Sequence, residues 1–186
     1  MGPPGGMSFT PRTNQGETTV TEKTMTEKDQ FLATFQRECA TTLKLLRAYP
    51  ADRGDFKPHE RSNSARQLAW TFVLEQGIVD MAIKGKIDFS QPMPPAPATY
   101  SDCVAAFEGA CRQTVARVTG ASDAELSRTV QFPVGPGKMG DFRAMDVLWT
   151  TLMDQIHHRG QLSVYIRLAG GKVPSIYGPT ADETWM

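Results

Sequence analysis

The residues best suited to chemistry sit in the run Asp154-Gln155-Ile156-His157-His158-Arg159-Gly160-Gln161, which holds two of the three histidines in the 186-residue chain. Asp154 and His158 are four residues apart. On a helix that spacing raises both side chains from one face, about 5–6 Å apart at Cβ. A carboxylate and an imidazole so placed can share a divalent cation or form a hydrogen-bonded acid–base pair. Glu75 is the second candidate, because it falls at helical spacing among Leu68, Phe72, Ile78 and Val79. A carboxylate in such an arc needs a partner or a cavity. Thr71 lies one turn earlier on the same arc, where a hydroxyl can satisfy itself on the backbone.

The other candidates are weaker. His157 is turned about 100° from His158, and packing against a neighbouring helix or a carbonyl is expected of it. His59 directly follows Pro58, as an exposed loop histidine or, less favoured, a ligand. Tyr165 and Tyr177 can line a cleft or simply pack. A nucleophilic Ser or Cys paired with a base is not apparent, which argues against covalent hydrolase chemistry.

Four long helices are predicted to position these groups. Phe31, Phe35, Cys39, Leu43 and Leu46 recur at helical spacing behind Thr26 and Asp29, giving a first helix to about Ala48. A second, capped by Ser62 or Ser64, runs to about Lys84. Residues 85–99 include Gln91-Pro92-Met93-Pro94-Pro95-Ala96-Pro97, an extended crossover that neither helix nor central strand accommodates. The third helix starts after Thr99 or Ser101 and stops at Gly120. A capped turn at Ser122–Leu126 follows, then a small hairpin, Thr129–Val134 and Lys138–Phe142, about Gly135-Pro136-Gly137. The last helix carries the Asp154–His158 run. Met145, Trp149, Leu152, Ile156 and Ser163 form one face of it; Val147, Thr151, Asp154, His158, Gln161 and Tyr165 form the other. Gly170-Gly171 ends it. Residues 1–24, nearly devoid of apolar side chains, read as a disordered lead-in; residues 25–186 read as one helical bundle with its tail packed back.

Composition narrows the function classes. Twenty Lys and Arg balance twenty Asp and Glu, with no long basic run, so neither nucleic acid nor anionic lipid is an expected partner. No apolar run reaches the ~20 residues of a membrane span, and no signal peptide is evident. Cys39, Cys103 and Cys111 are odd in number and lack tight pairing, which suits a reducing cytoplasm. Cys103 and Cys111 are expected to pack as small hydrophobes.

Three segments together resemble the DinB/YfiT-like superfamily. They are His-His-Arg-Gly-Gln-Leu-x-Val-Tyr-x-Arg at His157 to Arg167, Ser64-Ala65-Arg66-Gln67-Leu68-Ala69-Trp70, and Val173-Pro174-Ser175-Ile176-Tyr177-Gly178-Pro179-Thr180-Ala181-Asp182-Glu183. The resemblance spans about residues 26–183. It implies an all-α, four-helix up-down-down-up bundle, often a homodimer, with a divalent metal such as zinc or nickel held by three histidines at one end. Relatives so characterised include metal-dependent thiol transferases and a mycothiol-dependent isomerase. It also implies that Arg159 and Gln161 tie the last helix to its neighbours. Carried over by position, the triad falls on Thr71, Asp154 and His158, so one histidine of three is kept. Glu75, one turn beyond Thr71, can replace the missing ligand, and a Glu/Asp/His set suits manganese, iron or zinc.

Three functions follow as expectations. One is a metal-assisted transferase or hydrolase acting on a small molecule, with a low-molecular-weight thiol as an optional co-substrate, with Glu75, Asp154 and His158 as ligands and Thr71, Gln161 and Tyr165 around the cleft. Another is a metal-free, non-catalytic ligand-binding or dimeric scaffold, in which Glu75 is tied to an ordinary partner such as an Arg. A third is a metal-free acid–base enzyme using Asp154 and His158.

Overall fold

The computed structural model describes Gly2 and residues 24–185. The expected disordered lead-in, residues 1–24, falls outside the described residues save for Gly2 and Thr24. Each of the first three long helices begins where a side chain closes its opening turn. Thr26 caps α1 (Glu27–Ala48) and exchanges bonds with Asp29; Ser64 caps α2 (Ala65–Lys84) and does the same with Gln67; Thr99 caps α3 (Tyr100–Gly120). Such bonds satisfy amides that a first turn leaves without intrahelical partners. Gly85 ends α2 at φ +89°, a left-handed conformation that glycine adopts without steric cost.

Those helices and α5 (Ala144–Leu168) form a four-helix bundle with up-down-down-up topology. α1 packs on α3 and α5, and α2 packs on the same two, so α1 and α2 face each other across the diagonal. α2 and α3 run the same way because the crossover carries the chain back along the bundle. Two early α2 residues pin its far end: Trp70 Nε1 donates to the Pro94 carbonyl at 2.7 Å, and Arg66 to that of Pro97 at 3.0 Å. The short helix α4 (Asp123–Ser127) and the antiparallel pair β1 (Thr129–Gly135) and β2 (Lys138–Arg143) lead into α5. The pair is in register from Thr129↔Arg143 to Pro133↔Met139, with an irregularity before Gly135 and a turn that places Gly137 at φ +66°.

Phe31, Phe35, Phe72, Phe107, Leu45, Leu148, Leu162 and Ile166 fill the core. α5 buries residues from both of the faces read from its sequence: Met145 and Leu152 on one, Val147, Thr151 and Tyr165 on the other. Its exposed side is not wholly polar either, since Met153, Val164 and Leu168 face solvent there. Through this core runs a polar chain: Thr114 to Gln76, Gln76 to Gln155, and Gln155 to Thr42, at 3.0–3.2 Å. Arg159 continues it, pairing with Glu38 at 2.8 Å and bonding the hydroxyl of Tyr177, which itself donates to Glu38 at 2.6 Å. Tyr177 thereby holds the tail against the bundle. Ser64, not Ser62, caps α2, and Thr99, not Ser101, caps α3.

Candidate metal centre

Glu75 and His158 meet where α2 and α5 pack together. Glu75 faces inward because its neighbours on α2, Phe72 and Val79, belong to the core; it is 3% exposed. His158 packs its ring edge-on to Phe72, with centroids 6.3 Å apart. Its Nδ1 lies 2.6 Å from Glu75 Oε1 and 3.9 Å from Asp154 Oδ1. Asp154, one turn earlier, keeps 55% of its side chain in solvent. Ligand atoms of Glu75, Asp154 and His158 all lie within 4.8 Å of one another. The acid–base partner read from the sequence is thus corrected. The i,i+4 spacing brings Asp154 near, but the hydrogen bond goes to Glu75, which reaches across from α2.

Both groups end with raised pKa values, for different reasons. Taking the Glu75 carboxyl out of water raises its pKa to about 7; the His158 bond opposes that rise and the Asp154 charge adds to it. For His158, the hydrogen bond to Glu75 raises the pKa above its usual value, against the opposing effect of burial. The second carboxylate oxygen, Glu75 Oε2, is buried and has no hydrogen-bond partner. A buried carboxylate oxygen left unsatisfied is costly, and a cation or a ligand donor relieves it. One histidine and two carboxylates form a donor set that fits zinc or manganese. The residues present therefore fit a divalent ion, which Glu75, Asp154 and His158 would hold.

Two hollows open beside these groups. One, about 490 Å³, is bordered by Ser62, Asn63, Leu68, His158, Gln161 and Tyr165. The other, about 400 Å³, is more apolar and is bordered by Glu75, Ile78, Phe132, Thr151, Asp154 and His157. The hairpin contributes Phe132 to its wall, and Phe132 is braced by Phe142 with ring centroids 5.8 Å apart. A further hollow between α2 and α3, about 460 Å³, contains none of the converging ligands.

The remaining candidates divide. Tyr165 lines the first hollow and is fixed by its hydroxyl, which donates to the Asn63 carbonyl at 2.9 Å. Gln161 borders the same hollow but does not tie α5 to another helix; its amide meets His157 Nε2 at 3.0 Å on its own helix. His157 is exposed at the edge of the second hollow, so the expected packing against a neighbouring helix or carbonyl is not what forms. Thr71 turns its hydroxyl to the Gln67 carbonyl at 3.2 Å and is not part of the ligand cluster. His59 is exposed in its loop, where Nδ1 accepts from the Arg61 amide. Arg159 ties α5 to α1 and the tail, as expected. Sequence reasoning missed the hairpin's part in the site. Phe132, aromatic in an otherwise weak strand, was the available signal.

Fold and site together define a four-helix bundle protein with a carboxylate–histidine cluster able to hold a metal ion. The sequence profile of the DinB family matches residues 21–185, and the chain belongs to that family. It is 26% identical to the uncharacterised protein YrdA of Bacillus subtilis strain 168 over 159 residues, covering 83% of this chain and 90% of YrdA. Among solved structures, a DinB-like protein of Bacillus cereus ATCC 10987 superposes with a TM-score of 0.66 at 22% identity, covering 79% of this chain and 95% of that one. Bacillus subtilis YfiT, described as a probable metal-dependent hydrolase with an unusual four-helix bundle topology, gives 0.59 at 12% identity, covering 84% and 94%. At these identities the structural likeness establishes the fold.

Proposed function

We propose that this protein is a metal-assisted transferase or hydrolase acting on a small molecule, with Glu75, Asp154 and His158 holding one divalent ion. The observation that carries the reading is the convergence of the three donors around a buried carboxylate with an unpartnered oxygen. The scaffold reading expected an ordinary partner such as an Arg for Glu75; the partner here is His158, and Glu75 Oε2 has none. The description of YfiT as a probable metal-dependent hydrolase supports the same class of chemistry.

A bound divalent ion supplies Lewis-acid polarisation and lowers the pKa of a coordinated water or thiol. This chain's residues do the rest. Glu75 and His158 hold one proton between Oε1 and Nδ1, which is released when a cation replaces it. Asp154, half in solvent, contributes a charge that leaves room for an exchangeable ligand. Gln161 and the Tyr165 hydroxyl offer polar contacts on one side of the cluster, while Phe132 and Ile78 exclude water on the other.

The 2.6 Å bond between His158 and Glu75 favours a second reading, a metal-free acid–base dyad made of those two groups. Calorimetry separates the two. Titrating zinc, nickel and manganese into chelator-treated protein near neutral pH, in buffers of different ionisation enthalpy, is expected to show one-site binding with proton release. Glu75→Gln and His158→Ala should each abolish it. Absence of saturable binding for all three ions overturns the metal reading and leaves the dyad. The reading also comprises a cytoplasmic homodimer that binds neither membrane nor nucleic acid. Met153, Val164 and Leu168 support the dimer, since they leave an apolar edge exposed along α5. Light scattering that gives a monomer mass removes that part.

A further inference from the structure

We propose that Cys39 and Cys111 form a reversible dithiol–disulfide pair that cross-links α1 to α3, a modification site separate from the metal-ligand cluster. The two sulfurs, 72 residues apart in sequence, lie 2.7 Å apart, inside ordinary sulfur–sulfur contact. A disulfide measures about 2.05 Å, so closure asks for roughly 0.7 Å of travel between side chains already aimed at each other. Both residues are buried, Cys39 at 5% and Cys111 at 6% exposure. A hollow of about 450 Å³ on the α1–α3 face, lined by both cysteines with Leu43, Glu108, Arg112 and Val115, gives a small oxidant its approach.

Two thiols do not need to be this close to pack as hydrophobes. Cys103 shows the ordinary arrangement: it is fully buried, with the Arg66 carbonyl as its sulfur's partner at 3.7 Å. Cys111 is buried in the core like Cys103, as the sequence reading expected, and differs in that its sulfur meets that of Cys39. The bond to Cys111 foremost, and then burial, push the Cys39 thiol above its usual range.

The oxidant is a hydroperoxide, in the simplest case hydrogen peroxide. One sulfur of the pair attacks a peroxide oxygen, the O–O bond breaks, water departs and a sulfenic acid is left. The other sulfur attacks that sulfenyl sulfur, gives up its proton and expels the second water as the S–S bond forms. The two thiols lose two protons and two electrons, and the peroxide is reduced to two waters. Two molecules of a low-molecular-weight thiol reverse the step by exchange and are themselves oxidised to their disulfide.

The test uses the full chain, folded, exposed to excess hydrogen peroxide and quenched by alkylation in denaturant. Titratable thiols are expected to fall from three to one, so that the quenched protein carries one alkyl group in place of three. Non-reducing peptide mapping with cleavage at Glu108, which separates Cys103 from Cys111, should show Cys39 joined to Cys111. A reducing thiol should restore all three. Cys111→Ser should retain both of its thiols under the same treatment; if that variant misfolds, the wild-type map still decides. Three surviving thiols, oxygen added without loss of hydrogen, or a link through Cys103 each overturn the proposal.

Discussion

Replacing Glu75 by Gln is expected to stabilise the metal-free protein at alkaline pH while removing its response to metal. Burial raises this carboxyl from the usual 4.5 to about 7, so above neutrality the folded state carries an ionised group that the unfolded chain accommodates freely. At about 1.4 kcal/mol per tenfold change in proton affinity, the cost is at most about 3 kcal/mol. The sign follows from which form the fold prefers. A raised pKa means the protonated carboxyl is favoured, so its contribution is intact below about pH 4.5 and is lost as pH rises through about 7. His158 acts in the same sense. Its pKa is raised by Glu75, so its contribution is present below the usual 6.5 and disappears above its folded value. Gln keeps an oxygen to accept from His158 Nδ1–H and cannot ionise. Urea denaturation with chelator, from about pH 5 to about pH 9, should show wild-type stability falling across neutrality and the variant's staying flatter. At the alkaline end the variant should lead by up to about 3 kcal/mol, or about 6–12 °C in Tm for a chain of this size. Parallel curves, or a variant weaker than wild type at about pH 9, would refute the reasoning.

Other consequences of the structure are equally measurable. Arg159→Ala leaves the Glu38 charge buried without its partner and should cost about 3–5 kcal/mol by urea titration; removing both charges as Arg159→Met with Glu38→Gln should recover much of that. Burial alone would raise the Glu38 pKa, but its bonds to Tyr177 and Arg159 lower it overall. Its contribution is therefore present above the usual 4.5 and lost as pH falls through the lower folded value, which Glu38→Gln should remove from the acid limb of the stability profile. Gly85→Ala forces a left-handed φ on a residue with a Cβ and drives that Cβ into Arg128; thermal melting should report a loss of about 1–2 kcal/mol or more. Phe107→Ala, which empties a fully buried position against Phe72, should cost about 3–5 kcal/mol by the same assay.

The bundle was legible because its signals are local. Thr26 with Asp29, Ser64 with Gln67, the proline-rich crossover and the Gly135-Pro136-Gly137 turn each act within a few residues, and each appears where the sequence puts it. The three motif segments mostly turn out to build the fold. Ser64 caps α2, Trp70 pins the crossover, Arg159 and Tyr177 clasp Glu38, and Asp182 and Glu183 bond the tail's own amides. The ligand cluster was legible at the level of residue type, because a Glu in a core arc demands a partner. Who partners whom was not. Helical spacing brings Asp154 near His158 but says nothing of how far Glu75 reaches from α2, and that packing decides 2.6 Å against 3.9 Å. The Cys39–Cys111 contact was hidden for the same reason, since interhelical register leaves no mark at a spacing of 72 residues. Phe132 was hidden because a hairpin's docking against a bundle depends on the angle at Arg143, where β2 passes directly into α5.

The central claim is that Glu75, Asp154 and His158 hold a metal ion. Metal content of purified, tag-free protein by inductively coupled plasma mass spectrometry tests it most directly, beside the Asp154→Ala and His158→Ala variants. The account predicts close to one equivalent of a divalent ion in the wild type and its loss in both variants. Less than about a tenth of an equivalent in the wild type after incubation with zinc, nickel and manganese, or full content retained in both variants, would contradict it.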